Sequence, residues 1–396
     1  MLSGKKILLG VTGGIAAYKS AALLRDFQKA GAEVRVVMTD AATRFVGRDT
    51  FSALSRTPVA CSIFDDGADP DHWVRHVHWA EWADAFVIAP CTANTLGKIV
   101  NGLTDNMLTS MVAAARCPVA ICPTMDGQMY HSPGIQRNLQ IARDDSYHII
   151  EPDEGYLASG LHDHGRLPAN DEILHHLARV VNTDKLLSGK KVLISAGPTR
   201  EHLDPVRYLS NPSSGKTGVS FARAADLNGA EVTLLLGPTS ITPPPGIQVE
   251  RFESSEELYQ LVEKNWKDHD VLIMTAAVSD FRPASREDSK IKKDKSELSL
   301  SLKRTTDILK WAGSNRANHQ TVIGFAMETE NLEDQAKAKL ENKNLDWIAG
   351  NVIDKGKSGF EIDHNELLLL GRNGERYEFD GGKTHIAEQV LAKIFS

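Results

Sequence analysis

The sequence predicts an α/β protein made of two doubly wound, mostly parallel-sheet domains in series. Three observations carry this. Short apolar runs alternate with segments of helical periodicity through both halves, the pattern of a parallel sheet covered by helices on both faces. The chain opens with GKKILLGVTGG (4–14) and starts over near its midpoint with GKKVLISAGPT (189–199). Its 396 residues suit two domains at roughly 100–200 residues each.

In the first half, KILLGV (6–11) reads as a strand that runs into a glycine-rich turn. AAYKSAALLRDFQKAG (16–31) has helical periodicity and stops at Gly31. EVRVVMT (33–39), AFVIAP (85–90) and PVAICP (118–123) read as buried strands, with helical segments near 94–101 and 105–115. In the second half, KVLISA (191–196) and EVTLLLG (231–237) are strands around a helix at 217–230 that closes near Gly229. TPPPG (242–246) is a stiff turn. DVLIMTAA (270–277), TVIGFA (321–326) and LDWIAGN (345–351) continue the sheet, and ELLLL (366–370) ends it. The Lys-, Ser-, Asp- and Glu-rich segment 285–303 breaks the alternation and reads as a mobile insertion or flap. The join falls near VNTDKLLSGK (181–190), giving domains 1–186 and 187–396.

Hydrophobic residues make up 41% and charged residues 24%, ordinary for a soluble globular protein. The net charge of -7 argues against a nucleic-acid-binding footprint. No apolar run approaches the ~20 residues of a membrane span. The N-terminal run is broken by Gly10, Gly13 and Gly14 and lacks a cleavage-like segment, so a cytoplasmic protein with no membrane partner is expected. Cys61, Cys91, Cys117 and Cys122 form no CxxC pair and read as free thiols.

Open parallel sheets bind ligands beyond the carboxyl ends of their strands, so the post-strand segments are the places to look. GVTGGIAAYK (10–19) sets three glycines between strand and helix without GxGxxG spacing. A phosphate cradle and a plain tight turn both explain it. In PCTANTLGK (90–98), Thr92, Asn94 and Thr95 either cap a helix or also contact a ligand. NPSSGKTG (211–218) is not a Walker A loop, because Ser210 stands where glycine is needed; an anion site at the following helix start remains. KIKKDK (290–295) is either a solvated run or a cover for a phosphorylated ligand. HVHW (76–79) and HDH (162–164) pair histidines at i, i+2 without neighbouring ligands at metal spacing, which favours a lone acid–base role for His76.

Together these segments, with PTMDGQMY and GYLASGLHDHGRL in the first half and AGPTREHLDPVRYLSNPSSGKTG, AAVSDF, KIKK and KNLDWIAGN in the second, resemble one family over nearly the whole chain. It is the bacterial coenzyme A biosynthesis family in which a phosphopantothenoylcysteine decarboxylase is fused to a phosphopantothenate–cysteine ligase. The resemblance implies a flavoprotein-type Rossmann-like first domain and a Rossmann-like ligase domain. It implies that the second domain acts first, using CTP and Mg²⁺ to activate 4'-phosphopantothenate as an acyl-cytidylate that the amine of cysteine attacks. By motif, Asn211 would hold that intermediate and Arg207 would support its phosphorylated end. Ala277 and Asp280 would lie at the nucleotide, with Thr305, Thr306, Asp307 and Ile308. Lys290 would reach in from the flap, and Phe325 would pack near the base. Lys339 and Lys343, at i, i+4, would face the triphosphate together. The first domain would then decarboxylate the cysteine moiety with FMN as electron sink. His76 matches the catalytic histidine, and Gly13, Gly14, Thr39, Thr92, Asn94 and Thr95 match flavin-contact positions. Flavodomain trimers and ligase dimers, assembled as a dodecamer, are implied as well.

Two positions depart from the family pattern. Asp126 stands where an asparagine holds the substrate carboxylate, and Ser159 stands where a cysteine acts as an acid. An ionised Asp126 would repel that carboxylate, and a hydroxyl is a far weaker acid than a thiol. Either the decarboxylase has decayed to an FMN-binding scaffold and only the ligase works, or the changes compensate. In the second reading Asp126 keeps a proton beside the substrate carboxylate, donates a hydrogen bond and later gives the proton up. The retained His76 and flavin-contact residues favour compensation. A decarboxylase for peptidyl cysteine is disfavoured by the attached ligase half, and a nucleotide-dependent dehydrogenase by the missing GxGxxG spacing.

Overall fold

Residues 2–63, 74–182, 185–292, 299–328, 331–352 and 364–396 are described by the computed structural model of the chain. It divides into two units, Met1–Thr183 and Asp184–Ser396.

In the first unit the apolar runs become β1 (Lys6–Val11), β2 (Glu33–Met38), β3 (Ala85–Cys91), β4 (Val119–Pro123) and the short β5 (His148–Ile149). They form one parallel sheet in the order β2-β1-β3-β4-β5. Every residue of β3, and every residue of β1 after Lys6, is buried. Parallel strands with helices on both faces have no solvent side, hence the unbroken apolar runs. The order reverses at β1, so the crevice beyond β1 and β3 is the topological switch point. The helical pattern after β1 resolves into a 3₁₀ turn, Ile15–Tyr18, followed by the α-helix Lys19–Lys29. The segments near 94–101 and 105–115 are the helices Ala93–Val100 and Met107–Ala114. An antiparallel hairpin of β6 (Asp153–Tyr156) and β7 (His162–Arg166) completes the described strands of this unit.

The second unit contains β8 (Lys191–Ala196), β9 (Arg200–His202), β10 (Tyr208–Ser210), β11 (Glu231–Leu236), β12 (Gln248–Arg251), β13 (Val271–Met274), β14 (Phe281–Pro283), β15 (Leu302–Arg304), β16 (Thr321–Glu328), β17 (Trp347–Val352), β18 (His364–Gly371) and β19 (Arg376–Gly382). Its main sheet runs β12-β11-β8-β13-β16-β17-β18-β19, parallel as far as β17 and antiparallel beyond it. The switch point lies between β8 and β13. One face of this sheet, with Ile194, Ala349 and Leu367, packs under the helices Lys216–Leu227 and Lys383–Phe395. The other face, with Leu193, Ile348 and Leu368, packs under Ser255–Trp266, Ile308–Ser314 and Leu332–Asn342.

Three expectations are corrected here. The 366–370 strand does not end the sheet, because β19 pairs with β18 from Leu370↔Arg376 to His364↔Gly382. Half of β19 faces water, so it shows no continuous apolar run. The 270–277 strand stops at Met274; Ala277 joins the sheet only through an isolated bridge to Pro198. The insertion 285–303 is partly tied down. The strands that border it, β14 and β15, pair antiparallel, Glu287 N–H donates to Leu203 O, and Ile291 N–H donates to Asp204 Oδ2 at 3.1 Å. Residues 293–298 of the insertion, which include the end of the lysine run, lie outside the described residues. No described helix is long and apolar enough to cross a membrane.

Candidate active sites

Each unit has a large cavity at its switch point. In the first unit a cavity of about 800 Å³ opens beyond β1 and β3, within the usual size for a small-molecule or cofactor site. It gathers all six expected flavin-contact residues: Gly13 and Gly14 after β1, Thr39 after β2, and Thr92, Asn94 and Thr95 after β3. Thr39 and Thr92 do cap helices, accepting from Ala42 N–H and Thr95 N–H, and both also line the cavity. Two cations that the motifs did not single out, Lys19 and Arg166, line the same cavity. Burial and then the Arg166 guanidinium hold the Lys19 ammonium below its ordinary range. An anionic group between them would relieve both effects. A glycine-rich turn, apolar walls and paired cations fit a phosphorylated flavin.

Asp126 and Ser159 meet in this cavity. Ser159 Oγ donates to Asp126 Oδ2 at 2.5 Å, and Asp126 Oδ1 accepts from Gln128 N–H at 3.2 Å. The β6–β7 hairpin makes the meeting possible. Met125 N–H donates to Gly165 O at 3.1 Å. Gly165 has φ +141°, and a Cβ there would lie 2.0 Å from Met125 O. Gly127 is as constrained, since a Cβ on it would lie 2.2 Å from Asp163 Oδ2. Two glycines therefore let β7 close against residues 125–127 and carry the Ser159 loop to Asp126.

His76 does not line the cavity. It sits in the first turn of the Arg75–Trp82 helix, and its Nδ1 is buried with no hydrogen-bond partner. No described group of three or more His, Cys, Asp or Glu residues has metal-site geometry, the HVHW and HDH pairs included. None of the four cysteines is in a disulfide. Burial pushes the Cys91 thiol up to about 12 and Cys117 up to about 11. Neither has the acidity to replace a cysteine missing from position 159.

In the second unit a cavity of about 700 Å³ spans the carboxyl edge of the sheet. It brings together Asn211, Ala277, Asp280, the 305–308 segment, Phe325, Lys339 and Lys343. Asn211 Nδ2 donates to Ala277 O at 3.3 Å and to Val278 O at 3.2 Å, which fixes its carboxamide across the switch point. Lys343 is the C-cap of the Leu332–Asn342 helix rather than part of its face, and its Nζ lies 2.9 Å from Asp307 Oδ1. Lys339 ends the same helix, where cations are favoured. The Phe325 ring meets Phe221 edge-on, centroids 5.2 Å apart.

Arg207 and Lys290 stand off this cavity. Arg207 grips the buried Asp204 through Nε at 2.9 Å and Nη2 at 2.7 Å, and Nη2 also donates to Ile291 O at 2.7 Å. Burial disfavours the Asp204 anion, but N–H donors from Val206, Ile291 and Arg207 outweigh it and hold its carboxyl well below the usual range. Arg207 thus fastens the segment that carries Lys290. Lys216, Asn351, Asn365 and Lys383, which no motif argument singled out, also line the cavity.

A model described as Flavoprotein matches residues 1–182, and one described as DNA/pantothenate metabolism flavoprotein C-terminal domain matches residues 187–396. The chain is 41% identical over 400 residues to the Coenzyme A biosynthesis bifunctional protein CoaBC of Bacillus subtilis, covering 100% of this chain and 97% of that protein. It is 38% identical over 393 residues to the protein of the same name from Haemophilus influenzae, covering 99% and 98%. Among solved structures, the C-terminal domain of a protein of that name is 37% identical, covers 53% of this chain and 96% of its own, and gives a TM-score of 0.46.

Proposed function

The chain belongs to the family of bifunctional coenzyme A biosynthesis proteins, and from that premise we propose a division of labour between its two cavities. The chain is a phosphopantothenate–cysteine ligase and a phosphopantothenoylcysteine decarboxylase. The observation that carries the division is that each unit has a cavity at its own switch point, lined by most of the residues expected for one of the two reactions.

In the second unit the carboxylate of 4'-phosphopantothenate attacks the α-phosphorus of CTP and expels pyrophosphate. The amine of cysteine then displaces CMP. Asn211, pinned to Ala277 O and Val278 O, holds the acyl-cytidylate in line for that attack. Lys339 and Lys343 neutralise the departing phosphates. Asp280 lines the cavity and would be a carboxylate for Mg²⁺, which ordinarily binds through one or two carboxylates plus the phosphates of its substrate. Arg207 positions the root of the Lys290 segment rather than reaching the substrate of its own chain.

In the first unit the FMN cofactor supplies an electron acceptor for the substrate thiol, so that loss of CO₂ no longer leaves an unstabilised carbanion. Gly13, Gly14, Thr39, Thr92, Asn94 and Thr95 hold it, with Lys19 and Arg166 toward its phosphate or that of the substrate. Asp126 and Ser159 act as one unit. The hydroxyl orients the carboxyl, whose acid form would donate to the substrate carboxylate and then give up that proton. An inert scaffold is not favoured, since the matched relatives are named as bifunctional over their full length. The exposed Ile15, Tyr18 and Met129 around the cavity, with His76 off its wall, support a site completed by His76 of a neighbouring copy.

The test is a mass spectrum of the full chain incubated with 4'-phosphopantothenate, cysteine, CTP and Mg²⁺. Phosphopantetheine is expected. Phosphopantothenoylcysteine accumulating unchanged in flavin-loaded protein would remove the decarboxylase reading and leave the ligase.

A further inference from the structure

We propose that the contact between Asp163 and His131 is a clasp that holds Ser159 against Asp126, which makes Asp163 and His131 positioning residues for decarboxylation. The proposal rests on the decarboxylase reading above and deepens it.

Asp126 and Ser159 belong to different elements. Asp126 is the N-cap of the one-turn helix Gly127–Tyr130, where its Oδ1 accepts from Gln128 N–H. Ser159 lies in the loop between β6 and β7. Their hydrogen bond survives only while loop and turn keep one relative position. Two contacts run from β7 to this segment. Met125 N–H donates to Gly165 O at 3.1 Å, and His131 Nε2 lies 3.2 Å from Asp163 Oδ1. Asp163 and Gly165 are two apart on one strand, so both face the 125–131 segment.

Asp163 is built into its place. A Cβ on Gly127 would lie 2.2 Å from Asp163 Oδ2 and 2.6 Å from its Cβ, so the carboxylate occupies the space a side chain at 127 would need. His131 follows Gly127 by one turn, its N–H donating to Gly127 O at 2.9 Å. Asp163 therefore crosses over Gly127 and meets the ring. His164 N–H also donates to Asp163 Oδ1, at 2.8 Å. That bond first, and then His131, hold the carboxyl below its ordinary range. An ionised carboxylate only accepts, so His131 donates through Nε2 whether its ring is neutral or charged.

Both ends of the clasp are braced. At the turn, Tyr130 OH donates to Glu151 Oε2 at 2.6 Å, and Arg143 Nη2 donates to Glu151 Oε1 at 2.5 Å. In the hairpin loop, Leu157 N–H donates to Leu161 O at 2.8 Å and Gly160 N–H to Leu157 O at 3.0 Å, closing the chain around Ser159. A shift of Asp163 is thus carried to Ser159 rather than absorbed on the way. His162 pairs with Glu154 inside the hairpin at 3.5 Å, so the middle residue of HDH is the one that reaches the turn. The side chains of His131 and Asp163 are 54% and 32% exposed, and an ion pair that open adds little to stability. Rate is more sensitive to geometry, since a displacement of about 1 Å can cost 100-fold. The clasp should therefore act on turnover and hardly on Tm.

The experiment compares full-length, flavin-loaded wild type with His131→Leu, His131→Gln and Asp163→Ala. It measures decarboxylation kinetics with phosphopantothenoylcysteine, Tm, and amide hydrogen exchange across 153–166. His131→Leu and Asp163→Ala are expected to lower kcat about tenfold or more, with KM and Tm close to wild type. Exchange at Leu157 and Gly160 should speed up in both. His131→Gln keeps an N–H donor and should recover most of the turnover that His131→Leu loses. A kcat within about twofold of wild type in both His131→Leu and Asp163→Ala would overturn the proposal. So would a loss of Tm that accounts for the whole loss of activity, or unchanged exchange in the loop. A wild type that forms no phosphopantetheine would instead remove the decarboxylase reading, and the exchange measurement would still decide whether the clasp holds the loop.

Discussion

Asp126 and Ser159 lie 33 positions apart in the chain and 2.5 Å apart in space. Each change alone looks like damage to a decarboxylase. Their hydrogen bond shows that they are one feature, which the sequence names only as two departures. Asp126→Asn keeps the size of the side chain and can donate to a carboxylate, but it has no proton to deliver. Flavin-loaded protein with this change should lose decarboxylation about 100-fold or more and ligate at the wild-type rate. Wild-type phosphopantetheine formation would remove Asp126 as the acid. At this scale the legible residues were those in contiguous runs, such as Gly13 and Gly14 or Asn211. Asn351 and Asn365 lie on different strands of an otherwise apolar sheet face, where a lone asparagine carries no local signal. Lys19 and Arg166 were quoted within motifs, yet only the fold shows that they share a wall.

The β6–β7 hairpin and the segment after β9 are the elements that place chemistry, and neither announces itself by hydrophobic periodicity. β6 and β7 are mostly exposed, so no apolar alternation marks them. Gly165→Ala would force a side chain into a positive-φ position against Met125 O. A loss of about 2 kcal/mol in stability is expected, read as a lower Tm, with decarboxylation falling and ligation kept. An unchanged Tm and unchanged decarboxylation would mean that the hairpin does not depend on that contact. In the second unit, Asp204 holds three backbone N–H groups and Arg207. A carboxyl held below its unfolded value stabilises the fold at every pH above the ordinary carboxylate range and loses that contribution as pH falls toward its folded value. Asp204→Ala should therefore lower the Tm at pH 7, and the gap to wild type should narrow below about pH 4. A gap that stayed constant into acid would show that the Asp204 charge contributes nothing.

For the molecule as a whole, the two cavities predict activities that can be lost separately, and His76 predicts an assembly. If His76 serves the cavity of a neighbouring copy, chains carrying His76→Ala and chains carrying Asp126→Ala should each fail to decarboxylate alone. Co-expressed, they should recover part of the activity, because some boundaries would then join an intact His76 to an intact Asp126. Co-expressed chains that stay inactive would place His76 in its own chain's site or outside the chemistry. The restart at Gly189, the alternation of apolar runs with helical segments, and the strands 6–11 and 191–196 were all legible in the sequence, because burial on both faces writes parallel strands as unbroken apolar runs. β19 was not, since half of it faces water, and neither was the docking of residue 291, which depends on a single buried carboxylate. The sequence by itself determined the elements and the contiguous motifs, which follow from local propensity and periodicity. Only the tertiary structure decided which side chains share a cavity: strand register and the close approaches allowed at Gly127 and Gly165 bring together residues far apart along the chain, and no local pattern encodes that.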